Sequence, residues 1–130
     1  MNKLKLFLLI LFSQFLNSQS IIGAWEKYET NSDGSTHRYV VIFSEGFKST
    51  SVFDSLNGKF ISTNGGSWFL DGSTLNEKIE FDTQDQEKVG STIKFEIDIK
   101  ENTVTNINSR KTWNRIDDGS PGQLNGAWLM

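Results

Sequence analysis

An all-β fold, an up-and-down antiparallel β-barrel of about eight strands, is the architecture this sequence predicts. Three observations carry the prediction. Short runs of β-branched and aromatic residues recur at regular spacing along the chain. Turn clusters such as Asp33-Gly34, Asn57-Gly58 and Asp71-Gly72 separate them. One run alternates without a fault: Ile93, Phe95, Ile97 and Ile99 on one face, Lys94, Glu96, Asp98 and Lys100 on the other. That period of two requires a strand with one dry and one wet face.

Taken in order, Ile21 to Thr30 forms the first strand and Asn31 to Ser35 turns it. His37 to Phe43 is the second, and Glu45-Gly46 leads into Phe47 to Phe53. Asp54 to Gly58 turns the chain into Lys59 to Thr63, which runs through Asn64-Gly65-Gly66 and resumes at Ser67 to Leu70. Paired glycines inside a strand mark a bulge or sharp bend, the means by which a small barrel turns a corner. Thr74 to Phe81 follows, then a polar loop from Asp82 to Gly90, the alternating strand, Thr103 to Ile107, and Arg110 to Ile116. Hairpin connections of this kind describe a meander. Closing it into a barrel removes the exposed edges and leaves an interior wide enough for one small ligand. A two-sheet sandwich uses the same pattern and is the alternative.

The ends of the 130-residue chain are read apart from the barrel, which is expected over residues 19–118. Lys3 and Lys5 precede an apolar stretch, Leu6 to Leu16, and then the small polar run Asn17 to Ser20. This is the layout of a secretory signal peptide over residues 1–18, with cleavage after Ser18, or alternatively after Ser20. The expected address is periplasmic or secreted, with no membrane insertion once the signal is removed. Losing Lys3 and Lys5 takes the basic residues from 13 to 11 against 16 acidic ones, a formal balance of −5. That balance argues against nucleic acid as the main partner. There is no cysteine, so stability must come from the core; of the ten Phe and four Trp in the sequence, seven Phe and three Trp fall within residues 19–118. Residues 119–130 carry the sole proline, Pro121, and a second Gly-Ala-Trp at Gly126-Ala127-Trp128; they are expected to form a linker and the start of a truncated second repeat.

Gly23-Ala24-Trp25 at the start of the first strand, with Arg115 near the end of the last, resembles the lipocalin signature. The resemblance implies that Trp25 plugs the closed end of the barrel and that Arg115 lies across its ring, both in structural roles. A closer likeness is to small lipocalin-like families of unknown function among secreted proteins of Gram-negative bacteria. It rests on Thr63 to Trp68, Glu77 to Asp82 with Val89-Gly90, Trp113 to Gly119, and Pro121 to Trp128. Some members of that group carry two barrels in tandem, and the resemblance brings no catalytic residues.

The candidate ligand-binding residues are Glu77 as a polar contact and Phe43, Phe60, Ile79, Phe81, Phe95 and Ile97, with Trp25, as apolar walls. Glu77 shares the inward phase of Leu75, Ile79 and Phe81, and an ionised carboxylate inside a barrel requires a partner. That partner is a ligand, an inward Arg38 or an inward Lys, unless Glu77 sits at the open mouth. The single histidine, His37, has no activated nucleophile or nucleophile-elbow pattern to serve, so no enzyme is expected. The acidic loop Asp82 to Glu87 lacks the glycine and spacing of a calcium loop, so neither a metal nor a cofactor is implied. Two readings of function remain: a carrier of a small hydrophobic or amphipathic molecule, or a structural or protein-interaction module packed by its own aromatics.

Overall fold

The computed structural model describes residues 20–120. The expected signal peptide and the second Gly-Ala-Trp lie outside the described residues. Nine strands are present among them: β1 (Gly23–Thr30), β2 (Thr36–Phe43), β3 (Phe47–Asp54), β4 (Phe60–Asp71), β5 (Thr74–Lys78), β6 (Phe81–Asp82), β7 (Thr92–Ile99), β8 (Thr103–Asn106) and β9 (Lys111–Arg115). All pairings are antiparallel. Around the circuit the strands run β1-β2-β3-β4-β5-β7-β8-β9, and β9 pairs again with β1. The result is a closed eight-strand up-and-down barrel, in which the two-residue β6 continues β5 along the same edge of β4. Among the described residues no helix is long and apolar enough to cross a membrane.

Alternation builds the core. Trp25, Val41, Phe43, Leu75, Ile97 and Val104 turn inward from their strands and are buried together, and Trp68, Phe95, Ile99 and Trp113 pack against them. Trp68 meets Phe43 edge to face at 5.3 Å, while its neighbour Phe69 is exposed. The loop after β6 is ordered by Asp82. Its buried side chain accepts backbone N–H groups from Asp85 and Gln84, both at 2.9 Å, and those bonds hold its carboxyl below the usual aspartate range. A single 3₁₀ turn, Gln86–Lys88, completes the loop.

The corner expected at Gly65-Gly66 lies within one continuous twelve-residue strand, β4. Up to Ser67 this strand pairs with β3, and from Trp68 it pairs with β5. Past Trp68 the chain leaving β5 bulges by one residue along the same edge of β4, where Glu80 N–H donates to Gly65 C=O at 2.8 Å. A Cβ on Gly66 would overlap the Lys78 carbonyl oxygen and come within 2.8 Å of Glu80 N. Gly66→Ala is therefore expected to cost about 1–3 kcal/mol, the usual penalty for overpacking. Urea unfolding checks this: an unchanged midpoint would show that the bulged chain can shift aside.

Two sequence expectations fail here for reasons of register. Phe60 is 52% exposed, because a bulge between Val52 and Phe53 skips Ile61 and pairs Phe60 with Phe53. Their rings meet edge to face at 6.0 Å, away from the interior. Phe81 is 42% exposed, because the strand expected from Thr74 to Phe81 breaks after Lys78. The chain stays on β4, but its register there moves by one residue between Trp68–Glu77 and Gly65–Phe81, so the phase flips and Asp82 takes the inward place while Phe81 lies over Gly65.

Candidate functional site: an apolar cavity with a lysine-lined gap

At the closed end, Trp25 is fully buried and its indole Nε1–H donates to Ile21 C=O at 2.8 Å. The Arg115 guanidinium lies 4.0 Å from the centre of the Trp25 ring. Arg115 also donates to the carbonyls of Ser20, Ile22 and Glu101 and to Asp117 Oδ1, so it ties both ends of the barrel chain to one loop. Asp117 Oδ2 accepts Ala24 N–H at 2.9 Å. The glycine of Gly23-Ala24-Trp25 follows from this packing: at φ +138°, a Cβ there would lie 2.5 Å from Arg115 Nη1.

Above Trp25 the barrel holds a cavity of about 320 Å³. Val41, Phe43, Leu75, Phe95, Ile97 and Val104 make its apolar wall, and Trp113 closes one side. Of the expected wall residues, Phe43, Phe95, Ile97 and Trp25 line it, as does Glu77. Phe60 and Phe81 do not, for the reasons above. Ile79 is buried but does not line the cavity. It lies beyond the end of β5, where its backbone bonds Ser91 C=O and Gly90 N–H in the loop.

Glu77 is 5% exposed and its partner is Lys48, which projects from β3 to form an ion pair. Arg38 plays no part in this; it faces outward and binds Glu26 at 2.6 Å. Glu77 is thus already satisfied within the wall. His37 accepts from Asn31 Nδ2 at 3.3 Å through one ring nitrogen and does not line the cavity.

The polar feature not foreseen lies between β1 and β9. Their ladder ends at Trp25–Arg115 and Glu26–Asn114, so from Lys27 onward β1 has no backbone partner on that side. Lys27, Glu29 and Lys111 occupy the gap. Glu29 pairs with Lys27 and also with Lys111, the latter at 2.6 Å. The Lys27 ammonium lies 4.5 Å from the centre of the Tyr39 ring and 4.7 Å from that of Trp113. Burial pushes Lys27 below the ordinary lysine range, further than its bond to Glu29 can restore, and nearby Lys111 adds to the shift. Burial alone would raise the Glu29 carboxyl, but hydrogen bonds from Lys111 and Lys27 outweigh it and hold the group low. Burial also raises the Tyr39 phenol. Strand phase carries this signal. Lys27 and Glu29 share the phase of Trp25, Lys48 that of Val52, and Lys111 that of Trp113 and Arg115.

Against protein-family models, curated proteins and solved structures, the chain has no match. Its geometry nevertheless restricts what the site can hold. A partly open, mainly apolar volume of this size suits one small molecule, with a few placed polar groups in its lining.

Proposed function

We propose that this chain is a lipocalin-like carrier domain that holds a small hydrophobic or amphipathic molecule inside the barrel. One observation carries the reading: the roughly 320 Å³ cavity, bounded by Trp25, Val41, Phe43, Phe95, Ile97 and Val104. An interior filled by its own aromatics would leave no such space, and this volume reaches the lower end of ordinary ligand pockets, about 300–1,000 Å³. The arrangement of Trp25, Arg115 and Gly23 supports the lipocalin-like assignment, since these residues occupy the plug and cover positions that the signature implies. The proposed setting is the periplasm or the exterior, on the strength of the signal-like residues 1–18. In this reading the site binds and releases its ligand without chemical conversion, because Glu77 is already paired with Lys48 and His37 does not line the cavity.

The test is titration with the neutral fluorophore phenylnaphthylamine, following energy transfer from Trp25 and Trp113. Saturable one-to-one binding is expected. Val104→Phe, which places a ring in the cavity, should weaken it by about tenfold or more while the far-ultraviolet circular dichroism is retained. An absence of binding in the unaltered protein would favour the packed interaction module instead.

A further inference from the structure

The cavity's charges are not balanced. Four charged side chains line it: Lys27, Lys48, Lys111 and Glu77. Lys48 and Glu77 neutralise each other. Lys27 and Lys111 share a single carboxylate, Glu29, which leaves one positive charge in excess. That excess stands where the β1–β9 ladder has ended. Lys27 and Lys111 line both the interior cavity and an outer cleft of about 410 Å³ bordered by Tyr28, Glu29, Thr30, Asn31 and Thr112, in which Glu29 is the one acidic group. The gap is thus where the apolar interior meets the outside, and its rim is cationic.

We infer that the gap between β1 and β9 is a head-group site for a carboxylate, with Lys27 and Lys111 as its ligands and the apolar tail of the same molecule in the cavity. This rests on the cavity being a ligand site and names the class of molecule it takes: a small amphiphile with one carboxylate. Several features support the assignment. Lys27 is held against the faces of Tyr39 and Trp113, so its ammonium is oriented before a ligand arrives. Its side chain is only 11% exposed, so a carboxylate meeting it is shielded from water and ions more than at an open surface. Lys111 is half exposed and can turn toward an entering anion. A neutral head group would leave the excess charge unmet, and a cationic one would be repelled. The volume also limits the tail. At about 30 Å³ for each water-sized group, the cavity holds roughly ten of them.

Calorimetric titration with decanoate, decanol and decyltrimethylammonium tests the inference, because all three share one chain length. The unaltered protein should bind decanoate about tenfold more tightly than decanol, the strength of a charge-assisted hydrogen bond, and decyltrimethylammonium most weakly. Raising the salt concentration should narrow the gap between decanoate and decanol. Lys111→Met should bring the decanoate-to-decanol ratio close to one, and Lys111→Arg should keep it. Equal binding of decanoate and decanol by the unaltered protein would overturn the head-group site while leaving the cavity reading intact. No binding of any of the three would overturn both. The comparison on the unaltered protein decides the matter even if a variant fails to fold.

Discussion

Trp25→Ala is expected to lower the unfolding free energy by about 3–5 kcal/mol, the usual loss for a buried large aromatic. Three losses combine. The indole is fully buried, so the apolar contacts of the whole ring disappear. Its bond to the Ile21 carbonyl goes, leaving that oxygen beside a residue that is itself buried. The Arg115 guanidinium loses the ring beneath it, a contact worth about 0.5–2 kcal/mol. The new space would also join the existing cavity, since Trp25 forms part of its lining, and enclosed space of this kind adds its own cost. Trp25→Phe should cost less, because the phenyl ring fills most of the volume and keeps a face for Arg115. Guanidinium-induced unfolding followed by far-ultraviolet circular dichroism measures both variants. A loss below about 1 kcal/mol for Trp25→Ala would mean that the closed end is held by Arg115 and its carbonyl partners alone.

The same residues show what strand phase can and cannot deliver. Alternation places Trp25, Phe43, Phe95, Ile97 and Glu77 inside, and it holds wherever a strand keeps one register along its length. It fails for Phe60 and Phe81 because neither position lies on such a strand. Each follows a bulge, Phe60 in the β3–β4 ladder and Phe81 in the ladder that β5 and β6 make along β4. Either event shifts the count by one residue, and a single-residue shift turns a side chain to the opposite face. The glycine pair at Gly65-Gly66 announces an irregularity but not that the bulge itself lies in the neighbouring chain between β5 and β6. Lys27, Lys48 and Lys111 illustrate a different shortfall. Their phase is legible, yet lysine is so rarely buried that composition argues for the outer face. Only the pairing of strands shows that Lys48 has Glu77 to meet, and that Lys27 and Lys111 stand where β1 and β9 part.

The Lys48–Glu77 pair yields the other large effect. Glu77→Leu leaves the Lys48 ammonium without its partner, and Lys48→Met leaves the Glu77 carboxylate without one. Their side chains are 6% and 11% exposed, for Glu77 and Lys48 respectively. Breaking a buried pair by removing one member costs about 3–5 kcal/mol; the lower figure is expected here, because both groups border a cavity that water can enter. The double variant should behave differently. With both charges gone, neither desolvation penalty remains, and the introduced methionine and leucine side chains would extend the apolar wall already made by Phe43, Leu75 and Phe95. Its stability should return to within about 1 kcal/mol of the unaltered protein, so the two single losses should be strongly non-additive. Equilibrium unfolding of the four proteins gives the coupling energy directly. If the losses simply add, the two residues are each anchored by something other than the other, and Glu77 becomes available again as a contact for the ligand.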